Sequence, residues 1–234
     1  MHLAIGNRLY SSWSLRPWLV LEAFGIEREE TVIAMYKPDT KERMLSFGPT
    51  GKVPVIRDGD LVVWDSLAII EYLADRFPEH AIWPADASAR AHARCASAEM
   101  HSGFMALRSA CPMNLTKRFE AKDRGDAVDA DVARIEAVWA EARKIYGEPS
   151  GEGPFLYGAF TGADAMFAPV VARLDGYNIA VSADSRAYMD AVMSHPAFVR
   201  WRELAYQEPW NLPHYEEGET PSETLYVPDE ARSR

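Results

Sequence analysis

The spacing of apolar positions changes character about a third of the way along the chain. Leu3 and Ile5 alternate with smaller residues, the period of a short strand. From Ser11 to Phe24, serines lead into a dense apolar stretch that ends at Gly25. That pattern predicts a helix with a serine start and a glycine stop. Thr31-Val32-Ile33-Ala34 is β-branched and predicts a second strand. Strand–helix–strand order favours a parallel pair with a right-handed crossover. Two apolar runs, Val53–Arg57 and Leu61–Trp64, flank the turn Asp58-Gly59-Asp60 and predict an antiparallel hairpin. Ser66 to Phe77 sets Ile69, Ile70, Leu73 and Phe77 on one helical face and stops at Pro78. The order βαβ–ββα over residues 1–77 predicts an α/β domain of thioredoxin type, a four-stranded mixed sheet with three helices.

Beyond residue 85 the strand signals fade, and no strand is expected past residue 90. The stretch 88–118 is rich in Ala and reads as helical. Val128, Val132, Ile135, Trp139, Ala142 and Ile145 recur at helical steps. Thr161-Gly162-Ala163-Asp164 has capping-box spacing ahead of Met166, Phe167, Val170, Val171 and Leu174. Two further helices are expected over Ser185–Met193 and Ala197–Tyr206, separated by His195-Pro196. Residues 88–207 therefore read as an all-helical domain, joined to the first by the linker PEHAIWPADA at 78–87.

Composition narrows the function classes. The chain of 234 residues is 48% hydrophobic and carries a net charge of −10, against the clustered basic surface that nucleic acid requires. The stretch 208–234 holds half of that imbalance and reads as an acidic, solvated tail. No run approaches a membrane span, and MHLAIGNRLYSS lacks the parts of a signal peptide. Cys95 and Cys111 are too few for a disulfide framework, which points to the reducing cytoplasm and to core thiols. The six His include no closely spaced ligand pair, so no metal site is expected.

Three features bear on chemistry. SSWSLR at 11–16 joins the first strand to the first helix, where serines cap free amides and where the helix end attracts anions. There is no GxSxG elbow to suggest a hydrolase. Val53-Pro54 precedes a strand, and a cis bond there would leave the amide and carbonyl of Val53 free for an extended peptide. Asp65-Ser66 opens the next helix and offers an acceptor and a donor, or simply a cap. A thioredoxin-type fold brings all three to one edge.

Over residues 1–210 the sequence resembles the cytosolic glutathione transferases. SSWSLR is similar to the serine motif of their zeta class, with Trp13 where that class usually has Cys, and its Ser-x-x-Ser spacing resembles the tau class. GKVPVIRDGDLVVWDSLAIIEYL at 51–73 and TGADAMFAPVVARL at 161–174 resemble the family's other signatures. The resemblance implies glutathione as co-substrate, cis Val53-Pro54, a C2 homodimer and a small electrophilic second substrate. It implies that Ser11 activates the thiol, flanked by Ser12 and Trp13. It implies that the Val53 backbone pairs with the cysteinyl part, and that Asp65 and Ser66 hold the γ-glutamyl end. GPTGK at 48–52 lacks the family's Asn-Pro, leaving Lys37, Lys41 and Arg43 as candidates for the glycine carboxylate. Phe104, Arg108, Met113 and Asn114 fall where the family builds its second-substrate pocket, and Trp210 either covers that pocket or anchors the tail. A glutathione-dependent isomerase and a non-catalytic module of the same fold are the alternatives to a transferase.

Overall fold

Alternation along the first strand sends its side chains into two different cores. In a computed structural model, which describes residues 1–232, β1 (His2–Gly6) pairs in parallel with β2 (Glu29–Ile33). It pairs antiparallel with β3 (Val55–Asp58), which runs antiparallel to β4 (Leu61–Trp64), giving the sheet order β2-β1-β3-β4. Leu3 and Ile5 face α1 (Ser12–Ala23) and α3 (Ser66–Arg76) in the main core. Ala4, on the opposite face, packs with Ile33 and with Met44 of α2 (Thr40–Phe47). The Val53–Pro54 bond is cis. The expected thioredoxin-like domain is present, with its three helices.

The helical part follows as α4 (Ala87–Ser102), α5 (Met105–Ala110) and α6 (Asp126–Ala142). The last of these runs on through a π-helical turn at Arg143–Gly147 into α7 (Glu148–Ser150). Then come α8 (Gly162–Gly176), α9 (Ala183–Ser194) and α10 (Pro196–Ala205). Every residue of α8 from Gly162 to Leu174 is buried, so this helix is the axis of the domain and not a surface element. Its start is fixed by the predicted capping box. Thr161 N and Oγ1 donate to Asp164 Oδ2 at 2.8 and 2.9 Å, while Leu156 N and Tyr188 Oη donate to Oδ1 at 3.1 and 3.2 Å.

Two expectations fail together at the C-terminus. Strands do occur past residue 90, because β5 (Lys117–Phe119) pairs antiparallel with β6 (Pro221–Thr224). The acidic segment is not a solvated tail. Glu216 bridges to Lys117, Glu219 to Lys122 and Arg124, and Glu223 to Arg118, so its charges answer a basic stretch about a hundred residues earlier. A 3₁₀ turn (Pro213–Tyr215) and α11 (Asp229–Arg232) complete it, with Lys37 bonded to Glu230 at 2.7 Å.

Burial pushes the Asp164 carboxyl up to about 6, against the four donors that face it. Asp164→Asn would turn an amide nitrogen toward two of those donors and should destabilise the fold by about 3 kcal/mol. Because folding raises this pKa, the aspartate contributes most to stability below its folded value and loses that share as pH rises through about 6. The deficit of the variant should therefore be about 2 kcal/mol larger at pH 4.5 than at pH 7. Urea unfolding of both proteins at the two pH values checks this; a deficit that grows with pH would show the sign to be wrong.

Candidate functional site

The start of α1 is the most heavily furnished point of the molecule. Its first turn leaves amides without intrahelical acceptors, and Ser11 stands at its N-cap. The Ser11 hydroxyl makes no capping bond. It donates to Ser14 Oγ at 2.8 Å, and Ser14 Oγ accepts from Gly6 N at 3.0 Å, which ties the end of β1 to the helix. Ser12 Oγ accepts from Arg173 Nη2 of α8 at 3.2 Å. Trp13, the next residue, is 37% exposed, the most open of the motif.

Trp13 stands between two cavities. One, of about 380 Å³, is lined by Trp13, Thr50, Lys52, Val53, Pro54, Trp64, Asp65 and Ser66. The other, also about 380 Å³, is lined by Tyr10, Ser11, Ser12, Trp13, Met35, Met105, Arg108, Ser109, Pro112, Met113, Arg173 and Tyr215. The fold thus gathers six of the residues expected at a glutathione site, Ser11, Ser12, Trp13, Val53, Asp65 and Ser66, around these two spaces. Of the residues expected against the second substrate, Arg108 and Met113 line the second cavity.

Phe104 and Asn114 do not line it, and each has a physical reason. Phe104 adopts a left-handed backbone at φ 59° between α4 and α5, which turns its ring into the core. Asn114 Oδ1 accepts from Thr116 N and Oγ1, and its Nδ2 donates to Glu216, so its polar groups hold the C-terminal segment. Trp210 is half-buried and lines neither cavity; the tail instead supplies Tyr215, whose ring packs edge-on to Tyr10 at 5.4 Å. Lys37 is engaged by Glu230, while Lys41 and Arg43 bond backbone carbonyls. The cation at the rim of the first cavity is Lys52.

Sequence reasoning named Arg108 but not the two arginines that stand with it. Arg16, Arg108 and Arg173 converge on this point, and no carboxylate among the described residues forms an ion pair with any of them. The Arg16 guanidinium lies 4.3 Å from the Trp13 ring and that of Arg108 lies 4.9 Å from it. Arg16 Nη1 also reaches Ser66 Oγ at 3.4 Å. Burial, then the like charges of Arg108 and Arg173, hold Arg16 well below the usual arginine range. Burial and Arg108 push Arg173 down to about 10. Three desolvated cations with only distant counter-charges favour an anion between them. The one sequence signal was an arginine ending the otherwise apolar MFAPVVAR.

Asp65 opens α3 at φ 76°, where its Oδ1 accepts from Leu67 N at 2.9 Å and Ala68 N at 3.4 Å. His101 Nε2 lies 3.2 Å from its Oδ2. Burial, together with Arg16 and Arg108, lowers the His101 pKa and outweighs the pull of Asp65. His101 is thus neutral near pH 7, and it packs edge-on to Trp13 at 5.3 Å. Among the described residues no group of His, Cys, Asp and Glu is arranged to hold a metal ion. None of the described helices is long and apolar enough to cross a membrane.

Comparison with known proteins adds the following. The family model described as "Glutathione S-transferase, N-terminal domain" matches residues 10–76, and that described as "Glutathione S-transferase, C-terminal domain" matches residues 124–204. A probable maleylacetoacetate isomerase of Caenorhabditis elegans is 32% identical over 117 residues, 48% of this chain and 55% of that protein. A zeta class glutathione S-transferase of Euphorbia esula is 38% identical over 77 residues, 32% of this chain and 34% of that one. The chain thus spans only about half, or about a third, of these two relatives. A maleylacetoacetate isomerase of Pseudomonas aeruginosa is 25% identical over 211 residues, 85% of this chain and 93% of that one. Among solved structures, a Burkholderia glutathione transferase homologue with bound glutathione superposes with a TM-score of 0.67 at 22% identity, covering 88% of this chain and 98% of that one. That likeness is one of fold.

The backbone and side chain of Asp65 make opposite demands, since φ 76° suits glycine while the cap needs the carboxylate. Asp65→Ala keeps the strain and loses the cap, and should cost about 1–2 kcal/mol. Asp65→Gly loses the cap but relieves the strain, and should unfold within about 0.5 kcal/mol of the parent. Chemical denaturation of the three proteins checks the order, and an alanine variant as stable as the glycine one would refute it.

Proposed function

The chain belongs to the glutathione S-transferase family, and from that premise we propose that it ionises the thiol of bound glutathione at the start of α1 and adds the thiolate to a small electrophile in the cavity beyond Trp13. The observation that carries this reading is the adjacency of the two cavities across one shared wall, with Val53, Asp65 and Ser66 in one, Ser11, Ser12 and Arg108 in the other, and Trp13 in both. In this reading the Val53 backbone pairs with the cysteinyl part, Asp65 and Ser66 hold the γ-glutamyl end, and Lys52 meets the glycine carboxylate. The serine pair and the free amides of the helix start face the sulfur. Lowering a thiol pKa from about 8.5 by two units needs about 2.7 kcal/mol. A hydroxyl bonded to an anion supplies about 1.5–3 kcal/mol, and a helix start about 0.3–1 more.

A second reading is favoured by one observation. Three arginines without carboxylate partners suit an electrophile that itself carries carboxylates, so a glutathione-dependent isomerase, in which the thiolate adds and leaves again, is the alternative chemistry. Maleylacetoacetate isomerases among the relatives support it.

Retention on immobilised glutathione, followed by turnover of a nitroaryl chloride and of cis-dienoic acids, separates the outcomes. Conjugation alone supports the transferase, and cis–trans conversion at catalytic glutathione the isomerase. Binding with neither reaction would make the protein a non-catalytic module, and no binding would end both enzyme readings. We also propose a C2 homodimer, for which the exposed Leu61 on β4 offers apolar surface. Light scattering at micromolar concentration should give twice the chain mass of 26.2 kDa, and a monomer mass would refute the pairing.

A further inference from the structure

The two serines at the start of α1 differ in where their hydrogens can go. Ser11 Oγ gives its hydrogen to Ser14, and Ser14 also receives the Gly6 amide. Ser11 therefore serves the joint between β1 and α1. Ser12 Oγ receives from Arg173 Nη2 at 3.2 Å. A guanidinium has only donors, so Arg173 occupies a lone pair of Ser12 and leaves its hydrogen untaken. That hydrogen enters no hydrogen bond among the described residues. Both Ser12 and Arg173 line the second cavity.

Arg173 is itself held with little freedom. Its Nε donates to Cys111 O at 2.9 Å and its Nη1 to Pro169 O at 3.2 Å, and it is 6% exposed. Its charge is not cancelled by a carboxylate at either end, so the positive potential it projects falls on the Ser12 oxygen. A hydroxyl whose oxygen receives a charged donor becomes a stronger donor in turn. Arg173 belongs to α8 and Ser12 to α1, so the bond also crosses from the helical domain to the sheet domain.

We propose that Ser12, and not Ser11, donates the hydrogen bond to the glutathione thiolate, and that Arg173 is a positioning residue that orients and polarises Ser12 from the helical domain. This rests on the glutathione reading above. The thiol proton leaves to water, and the sulfur anion then accepts from Ser12 Oγ and the neighbouring α1 amides. Serine remains protonated throughout.

The test is the ultraviolet absorbance of the thiolate as a function of pH for glutathione bound to the full chain, with glutathione affinity measured alongside. Ser12→Ala should raise the apparent pKa of the bound thiol by about one unit or more, and Ser11→Ala by less than about 0.3. Arg173→Gln, which removes the charge, should raise it about as much as Ser12→Ala. Arg173→Lys should restore most of the difference, and the Arg173→Gln change should add little in the Ser12→Ala background. Glutathione affinity should stay within about threefold throughout, because the tripeptide is held elsewhere. A Ser12→Ala protein that titrates like the parent overturns the proposal, as does an Arg173→Gln protein that does so. If Arg173→Gln does not fold, Ser12→Ala against Ser11→Ala decides, and a Ser12→Ala shift no larger than that of Ser11→Ala overturns the proposal. A parent protein that binds glutathione without forming thiolate, or does not bind it, instead refutes the underlying reading.

Discussion

The burial of α8 from Gly162 to Leu174 is the constraint from which the rest follows. A helix apolar on every side must be enclosed by neighbours, and α1 of the sheet domain is one of them, with Leu15, Trp18, Leu19, Val20 and Leu21 all buried. This contact fixes the start of α1 at the seam between the domains. The two charged residues within the helix up to Leu174, Asp164 and Arg173, cannot pair with each other at that spacing and are satisfied locally. The acid anchors the helix start through four donors. The base, near the other end, reaches across the seam to Ser12. One apolar segment thereby supplies both the rigidity of the helical domain and the electrostatics of the cavity.

The C-terminal segment completes the enclosure through charge instead of apolar area. Glu208 pairs with Arg8 at 3.2 Å and receives the Arg8 amide at 2.8 Å, and both side chains are buried. Farther on, Glu216 pairs with Lys117, Glu219 with both Lys122 and Arg124, and Glu223 with Arg118. Several coupled pairs, one of them with both side chains under 10% exposed, hold better than the same number of isolated surface pairs. The segment brings Tyr215 to the wall of the second cavity and fixes Tyr10, whose hydroxyl receives the Leu212 amide at 3.3 Å.

Local signals were legible because they act over a few residues. The serine-to-glycine frame of α1, the Asp58-Gly59-Asp60 hairpin and the Thr161–Asp164 cap each encode their geometry within one turn of chain, and the structure contains all three. The places of Ser11, Ser12, Trp13, Val53, Asp65 and Ser66 follow from those frames. What stayed hidden depends on distant partners. An acidic run looks the same whether it meets water or Lys117 and Arg124, so the β5–β6 pairing had no local sign. Asn114 looked like a ligand contact until Glu216 arrived beside it. Arg16 and Arg173 looked like ordinary helix residues because convergence from α1 and α8 is a property of packing, not of spacing.

Trp13 is a partition shared by two rooms, leaned on by two guanidiniums and an imidazole. A partition of that kind makes the two occupancies interdependent. Any tilt of the indole that enlarges one space diminishes the other, and whatever fills the first sets the shape offered to the second. By reciprocity, the second occupant alters the hold on the first by the same factor. In the two-occupant reading proposed above, selectivity is accordingly a property of the pair taken together, and a change at this one ring rewrites both halves of it at once.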